Sequence, residues 1–175
     1  MHPILRRLTG SDRRSIGDAD QVAQVIASDA DLFGIVFEGM VSGEPVLRMR
    51  AADAVEKATR QNPGLLLPYK QRLLDEVAAV EQQEVRWHVA QMVPRLPLNG
   101  AERNRAVAIL EDFLRNESKI VQVNAMQALA DLLGDDEALR QRVILILEQV
   151  TEAGGPAVKA RGRKLLGKLG KEQNA

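Results

Sequence analysis

Residues 85–93 read VRWHVAQMV, and three other segments of the chain repeat this order of apolar, polar and small residues. They are LRMRAADAV at 47–55, VQVNAMQAL at 121–129 and VKARGRKLL at 158–166. The intervals between their first residues are 38, 36 and 37 residues. A fixed period between about 20 and 50 residues indicates a stacked repeat array. Such arrays more often present a surface that holds another molecule than a pocket for chemistry.

Each repeated segment predicts an amphipathic helix. When its first residue is counted as position 0, apolar or small residues occupy positions 0, 4, 8 and 11. This spacing places them on one face of an α-helix, which we expect to be buried. The sixteen residues of this stripe are Leu47, Ala51, Val55 and Ala58; Val85, Val89, Val93 and Leu96; Val121, Ala125, Leu129 and Leu132; and Val158, Gly162, Leu166 and Leu169.

A second amphipathic segment precedes each of these helices, so the chain is predicted to be all-α. Short polar turns join each of these first segments to the helix that follows, which makes consecutive helices pack antiparallel. No segment shows the strict alternation that is typical of a half-buried strand. The first segments span about 30–41, 64–80, 100–115 and 136–150.

The helix pairs define one repeat domain at residues 18–170. A short amphipathic segment from Asp18 to Ser28 lacks the repeated pattern, as terminal caps of repeat arrays commonly do, and it predicts an N-terminal capping helix. Residues 1–17 and 171–175 are predicted to be mobile. The four repeats are expected at about 30–62, 63–98, 99–133 and 134–170.

Prolines and one glycine are expected to disturb individual helices. Pro68 lies inside the segment 64–80, where it removes a backbone donor and should kink the helix. Pro94 and Pro97 should shorten the second helix of the second repeat. Gly162 should weaken the last helix by about 1 kcal/mol relative to alanine.

The repeated pattern resembles the HEAT repeat. The shared features are the V-R-x-x-A-A-x-A-L order with a leucine three positions later, units of 36–38 residues, Pro68 in a first helix, and arginine at Arg48 and Arg86. The resemblance covers the four tandem units and departs at Gln122 and Lys159, where the arginine is missing. It implies a right-handed α-α superhelix, or solenoid, of about four helix pairs whose second helices line the concave face. It also implies binding to protein or nucleic acid far more often than catalysis.

Composition limits the chemistry that the chain can carry. Cysteine is absent and the histidines are His2 and His88, so thiolate metal sites and paired-histidine sites are not expected. The sequence contains no glycine-rich phosphate loop and no G-x-S-x-G motif. No window reaches the roughly 18 apolar residues of a membrane span, and no signal-like apolar stretch follows the N-terminal charges. We therefore expect a cytoplasmic, non-catalytic protein without a metal or cofactor.

Charge is unevenly distributed although the formal net charge is zero. Residues 1–17 carry a net charge of +3, residues 155–175 carry +5, and the intervening body carries −8. The basic ends could steer an anionic partner, associate with the acidic body of another copy, or remain solvated.

The side of each repeated helix that adjoins the stripe supplies the candidate binding residues. Positions 3, 6 and 10 are spaced so that they share one side of the helix, toward the concave face that the resemblance implies. They offer seven potential cations and two carboxylates, which suits an acidic peptide, a protein or a phosphate backbone. The alternative is a solvated face on which hydrogen bonds link neighbouring repeats. The candidates are Arg50, Asp53, Lys57, His88, Gln91, Arg95, Asn124, Gln127, Asp131, Arg161, Lys164 and Lys168.

Trp87, the only tryptophan, is a thirteenth candidate. At position 2 it borders the stripe, so it either packs between repeats or serves as an exposed anchor of the kind common in binding hot spots. Arg48 and Arg86 are expected to pair with carboxylates or turn carbonyls of adjacent repeats, and not with a ligand.

These observations predict a non-catalytic scaffold that binds another protein or a peptide on the concave face. The alternative is nucleic-acid binding through a basic groove and the basic C-terminal helix between Lys159 and Lys171. Neutral net charge, an acidic body and few aromatic residues count against that alternative. We expect no catalytic, cofactor-binding or metal-binding residue, no membrane partner, and a monomer or weak homo-oligomer.

Overall fold

The computed structural model describes residues 1–172, and within them the chain is helical and contains no strand. Short 3₁₀ segments lie at Gly39–Val41, Pro63–Tyr69 and Val93–Arg95, and a π-helical turn lies at Leu73–Val77. The prediction of an all-α fold is confirmed. The α-helices are α1 (Pro3–Arg6), α2 (Ala19–Ile26), α3 (Ala30–Glu38), α4 (Pro45–Gln61), α5 (Lys70–Arg72), α6 (Gln83–Met92), α7 (Gly100–Leu114), α8 (Lys119–Asp131), α9 (Glu137–Ala153) and α10 (Pro156–Glu172).

The four repeated segments lie in α4, α6, α8 and α10 and the turns that directly follow them, and their stripes form part of the core. Of the sixteen stripe residues, fifteen are buried and Leu166 is half-buried. Burying a valine or leucine side chain contributes about 1.5–3 kcal/mol, so these faces stabilise the fold together with the buried apolar side chains of the other helices. α4 packs against α3 and α6, α8 packs against α7, and α10 packs against α8 and α9. The predicted buried face of each repeated helix is therefore confirmed.

Prolines lie where helices are interrupted, but the segment 64–80 contains only one short α-helix, Lys70–Arg72, in place of the kinked helix that the sequence predicts. Pro68 lies in the 3₁₀ segment Pro63–Tyr69, and the chain then passes through α5 to the π-helical turn Leu73–Val77. α6 ends at Met92, and Pro94 lies in the 3₁₀ turn that follows. Both interruptions have the same cause, because a proline lacks the N–H that the α-helical ladder needs and its ring crowds the preceding turn.

Side-chain caps begin the first helices of three repeats. At α3, Asp29 Oδ1 accepts from the backbone N–H of Leu32 at 2.9 Å. At α9, Asp136 Oδ1 accepts in the same way from Leu139 at 2.9 Å. At α7, Asn99 and Glu102 form a reciprocal capping box. Each cap satisfies a backbone donor that the helix leaves open and contributes about 1 kcal/mol, which fixes where each repeat begins.

Gly162 stands at the stripe position where α9 and α10 approach each other closely. A Cβ at this position would overlap the side chain of Thr151 on α9. Thr151 Oγ1 in turn donates to the backbone carbonyl of Leu147 at 2.5 Å. The glycine that lowers the intrinsic helix propensity of α10 is thus the residue that lets α10 dock.

The chain divides into two compact units, one from Met1 to Pro97 and the other from Leu98 onward. The division falls one residue before the predicted boundary between the second and third repeats. The predicted repeat domain, residues 18–170, spans both units. Of the C-terminal tail predicted to be mobile, residues 173–175 lie outside the described residues.

The N-terminal segment, residues 1–17, packs onto the rest of the first unit. Ile4 and Leu8 are buried, and the guanidinium of Arg50 on α4, with 6% of the residue exposed, donates to four backbone carbonyls. Gly17 adopts a φ of 55°, and a Cβ there would lie 2.8 Å from Arg50 Cζ, so this turn needs glycine. The mobility predicted for residues 1–17 concerns motion in solution and stays a prediction. The carbonyl acceptors are those of Leu8, Thr9, Asp12 and Ser15, at 3.4, 2.6, 3.1 and 3.0 Å.

Candidate functional site

The thirteen candidate residues divide between the two units. The first unit contains Arg50, Asp53, Lys57, Trp87, His88, Gln91 and Arg95, and the second contains Asn124, Gln127, Asp131, Arg161, Lys164 and Lys168. Those of the first unit are buried or half-buried, whereas those of the second are half-buried or exposed. The two groups therefore have different surroundings, although they occupy the same positions of the repeated pattern.

In the first unit, other parts of the chain cover the side of α4 that bears the candidates. The N-terminal segment encloses Arg50, and α2 packs along α4. Lys57 Nζ donates to Asp20 Oδ1 on α2 at 2.5 Å and to Asp53 Oδ2 at 2.7 Å. Asp53 is 8% exposed. This covering places Arg50 and Asp53 inside the unit instead of on an open groove.

His88 extends this polar network to α6. It is 7% exposed, its Nε2 lies 3.7 Å from Asp53 Oδ1, and its Nδ1 lies 3.0 Å from Gln91 Oε1. Burial lowers the pKa of His88 below its ordinary value of 6.5 and outweighs the attraction of the Asp53 carboxylate. His88 is therefore neutral at pH 7, and Lys57 is the cation that balances Asp53.

Glu56 is a buried carboxylate that sequence reasoning missed, with 1% of the residue exposed. Arg60 Nε and Nη2 donate to its two oxygens at 2.8 and 2.6 Å, and Arg95 Nη2 donates to Oε1. Arg95 Nη1 also donates to Thr59 Oγ1 at 2.8 Å. Burial alone would raise the pKa of Glu56, but the hydrogen bonds from Arg60 and Arg95 outweigh it and lower the pKa below 4.5. The hydrogen bonds of Arg95 thus connect the second repeat to α4.

Trp87 is half-buried beside this network. Its ring meets that of His88 edge-on, with 5.5 Å between the centroids. The residues at the same position of the other repeats are Met49, which is buried, Val123, which is half-buried, and Ala160, which is exposed. Both interpretations of Trp87, packing between repeats and anchoring a partner, stay open.

Arg48 and Arg86 bind turn carbonyls, but those of their own repeats and not those of adjacent repeats, which the sequence predicts. Arg48 Nη1 donates to the carbonyl of Ser42 at 2.6 Å, and Arg86 Nε donates to that of Val80 at 3.3 Å. These turns belong to the same repeat as each arginine, and not to an adjacent one. Arg48 also reaches the next repeat, where its Nε donates to Gln82 Oε1 at 2.9 Å. Both arginines therefore stabilise turns through hydrogen bonds to backbone carbonyls.

The second unit presents its candidates on one surface formed by α8 and α10. Arg161 Nη1 donates to Gln127 Oε1 at 2.8 Å, and Gln127 Nε2 donates to Asp131 Oδ1 at 2.9 Å. Lys164 and Lys168 are exposed along α10. A hydrogen bond thus links the third and fourth repeats, and the lysines still reach solvent. We name the six candidate residues of the second unit the α8–α10 surface. They are Asn124, Gln127, Asp131, Arg161, Lys164 and Lys168.

A depression of about 310 Å³ lies beside the C-terminal half of α8. Three members of the α8–α10 surface line it, together with Arg140 of α9, which sequence reasoning did not single out. The side chain of Arg140 is 18% exposed. Its lining includes Gln127, Asp131, Arg140, Leu165, Lys168 and Leu169.

Three further observations concern metal binding, membrane spans and similarity to known proteins. Within residues 1–172, no group of three or more metal-ligating side chains is placed to hold an ion. No α-helix in this part of the chain is long and apolar enough to cross a bilayer. The chain matches no protein-family model, no curated protein and no solved structure.

Proposed function

We propose that this chain is a non-catalytic protein-interaction module whose α8–α10 surface binds an acidic segment of a partner protein. The contrast in exposure between the two units carries the proposal. In the first unit, the cationic side chains Arg50, Lys57 and Arg95 donate hydrogen bonds to backbone carbonyls or carboxylates. In the second unit, Lys164 and Lys168 are exposed, and Asp131 is the one carboxylate among the six residues of the surface. The candidates of the second unit are therefore the ones placed to meet a partner.

The charge of α10 favours an acidic partner. Residues 156–172 contain six lysines and arginines and one glutamate. Such a concentration of one charge sign speeds association with an oppositely charged segment and makes it sensitive to salt. Helical spacing places Arg161, Lys164 and Lys168 on the flank of the stripe that adjoins α8, and Lys159 and Arg163 on the other flank. The α8–α10 surface uses the first flank.

Hydrogen bonds preorganise the α8–α10 surface. The side-chain amide of Gln127 accepts from Arg161 through its oxygen and donates to Asp131 through its nitrogen. Asn124 Nδ2 donates to the backbone carbonyl of Ile120 at 2.9 Å. Side chains that are fixed before a partner arrives lose less conformational entropy on binding. The surface therefore supports docking of a segment without first having to reorganise.

We also propose that the helix pairs are HEAT-like repeats. The regular spacing of 36–38 residues, the buried stripes and the interruption at Pro68 support this. The second helices of the third and fourth repeats supply the α8–α10 surface, as expected of that family. The right-handed superhelix that the resemblance implies stays a prediction, and an experimental structure of the full chain is its test.

Two matched double variants of α10 test the proposed function. Lys164→Glu with Lys168→Glu reverses two charges on the α8–α10 surface, and Lys159→Glu with Arg163→Glu reverses two on the other flank. Each immobilised variant is incubated with nuclease-treated extract of the native cell, and captured proteins are quantified by mass spectrometry. We expect the first variant to lose acidic proteins that the wild type and the second variant retain.

The outcome that contradicts the proposal is equal capture by the two variants, whether both bind or both fail. Far-UV circular dichroism controls for folding, because both variants alter exposed or half-buried positions of the same helix. A competing acidic peptide in the extract should remove the same proteins from the wild type.

Nucleic-acid binding is the alternative, and the same variants distinguish it. A phosphate backbone attracted by the overall charge of α10 would engage both flanks, so both variants would weaken binding alike. Binding to DNA or RNA would also fall steeply between low and moderate salt because phosphate contacts release counterions. Salt-dependent binding that both variants lose equally would replace the protein-binding proposal.

A further inference from the structure

We infer that residues 9–17 form a strap that closes a binding site at Arg50, and that an acidic peptide segment opens this strap by taking its place. The site belongs to the first unit, so the inference goes beyond the α8–α10 surface and does not depend on it. Arg50 occupies the position of the repeated pattern that Arg161 occupies in the second unit. The two units thus carry the same side chain at this position, and in the first unit the strap covers it.

Arg50 holds the strap by its backbone. The guanidinium donates to four carbonyls, and three of them belong to the strap, at 2.6, 3.1 and 3.0 Å. Within residues 1–172, every hydrogen bond that joins the strap to a residue more than three positions away in the chain comes from Arg50. Loss of these bonds would therefore release the strap from α4. The three acceptors are the carbonyls of Thr9, Asp12 and Ser15.

The side chains of the strap add little to this attachment. All residues from 9 to 17 are exposed, including Ile16, the one large apolar residue of the strap, which is 41% exposed. By contrast, Ile4 and Leu8, which precede the strap, are buried. A segment with few buried apolar contacts opens locally at a low cost in free energy. The strap can therefore detach while the residues before it stay packed.

Arg50 is a buried cation that has no carboxylate partner in the part of the chain that the structure describes. It is 6% exposed, and no ion pair within residues 1–172 includes it. Carbonyl dipoles stabilise the guanidinium but leave its charge uncompensated. A carboxylate brings a negative charge and can accept two parallel hydrogen bonds from one guanidinium, which a single carbonyl cannot. A carboxylate therefore competes with the strap carbonyls for Arg50.

The charge over this site favours an acidic segment. Residues 1–17 carry a net charge of +3, and Arg13 and Arg14 are exposed on the strap itself. Charges of one sign attract an oppositely charged segment and raise its local concentration. An acidic segment thus meets the exposed arginines first and reaches Arg50 once the strap moves aside.

The test is an NMR titration of the ¹⁵N-labelled full-length protein with acetyl-hexaglutamate amide. Two sets of signals are followed, the Nε–H of Arg50 and the backbone amides of residues 9–17. Because peptide binding and strap opening are linked, we expect the Arg50 signal to shift saturably while the strap amides move toward random-coil positions. Acetyl-hexaglutamine amide, which is neutral, should produce neither change. An Arg50 signal that does not shift, or strap amides that keep their positions at saturation, would overturn the inference.

Gly17→Ala loosens the strap and keeps Arg50. The added Cβ would lie 2.8 Å from Arg50 Cζ, and the φ of 55° disfavours any residue but glycine. Apparent affinity rises with the open fraction, so we expect the glutamate peptide to bind this variant about tenfold more tightly than the wild type. Gly43→Ala, where a Cβ meets nothing within 4 Å, is the matched control and should bind like the wild type. Equal affinity in Gly17→Ala and the wild type would refute the closed site.

Arg50→Met separates loosening from binding. It removes the donors that hold the strap, so the strap amides should move toward random-coil positions, but the glutamate peptide should gain no affinity because the guanidinium is absent. The strap amides report binding in this variant, and far-UV circular dichroism shows that each variant is folded. A gain in affinity equal to that of Gly17→Ala would assign the binding to the strap arginines and overturn the inference. If Gly17→Ala does not fold, the wild-type titration decides.

The Lys164→Glu and Lys168→Glu variant keeps the two proposals apart. Both changes lie in the second unit, so the glutamate peptide should still shift the Arg50 signal and open the strap. Loss of the Arg50 shift in this variant would contradict a site in the first unit. An unchanged Arg50 shift leaves the strap in place as a device of the first unit, whatever the capture experiment shows for the α8–α10 surface.

Discussion

Arg50 in the first unit and Arg161 in the second occupy the same position of the repeated pattern, yet their surroundings differ. Arg50 is 6% exposed and donates to four backbone carbonyls of the N-terminal segment. Arg161 is half-buried and donates to Gln127 at the α8–α10 surface. Residue type and helical position are identical, so the difference comes from the elements packed against each helix. The register of a repeat assigns a side chain to a face, but it does not determine whether that face is covered.

The carboxylates repeat this contrast. Glu56 is 1% exposed and binds two arginines, while Asp131 is exposed and accepts from Gln127. In the first unit, polar contacts between charged or titratable side chains connect α2, α4 and α6. In the second unit, more of the charged candidate side chains face solvent. Stability measurements on substitutions in the two units test this contrast.

The largest effect is expected from Glu56→Ala. The substitution leaves Arg95, with 22% of its side chain exposed, beside Thr59 without its carboxylate. Breaking a buried ion pair costs about 3–5 kcal/mol, and we expect the lower end because Arg60 is largely exposed. Urea denaturation measures the loss. Asp131→Ala removes a carboxylate from the second unit, at a different position of the repeated pattern, and should cost less than about 0.5 kcal/mol. Equal losses from the two changes would remove the distinction between the units.

An intermediate effect is expected from Arg50→Met compared with Arg161→Met. Arg50→Met removes the donor to four carbonyls and should cost about 2 kcal/mol, whereas Arg161→Met breaks one partly exposed hydrogen bond and should cost about 0.5 kcal/mol. Hydrogen exchange of residues 9–17 should accelerate only in Arg50→Met. If those amides already exchange as fast in the wild type, the segment is mobile as the sequence predicts, and Arg50 does not hold it.

The smallest effect is expected from pH, through His88. The pKa of His88 is lowered in the folded state by burial, so its contribution to stability is complete above the ordinary value of 6.5 and is lost as the pH falls below it. Asp53, Glu56 and Lys57 are the charges that act on it. The lowered pKa of Glu56 adds a separate loss below 4.5. Denaturation curves between about pH 7 and pH 5 should show a decline that His88→Gln abolishes. A decline of the same size in His88→Gln would assign it to other groups.

Local periodicity accounts for what the sequence predicts correctly. The stripe from Val121 to Leu132 is buried, as expected, because its apolar residues recur at the spacing of the α-helix and so share one face of it. The interruptions near Pro68 and Pro94 follow from the missing backbone donor. Both kinds of inference need only the chain neighbours of a residue.

The surroundings of the candidate residues depend on packing that the repeated pattern does not encode. The N-terminal segment that encloses Arg50 lacks the pattern, so its position on α4 could not be predicted. Glu56 lies outside the three candidate positions, although Arg60 four residues later was an available signal, since residues at that spacing face each other. Arg140 gave no such signal, because its place in the depression depends on how α9 packs against α10.

The close approach at Gly162 makes the α8–α10 surface depend on the docking of α10 against α9. α10 contains Gly162, Gly167 and Gly170, and each lowers helix propensity by about 1 kcal/mol relative to alanine. As an isolated peptide α10 would be a weak helix, and docking against Thr151 on α9 supplies the order that its own sequence lacks. The α8–α10 surface exists only once that docking is complete. A bound partner would therefore hold the second unit folded by mass action.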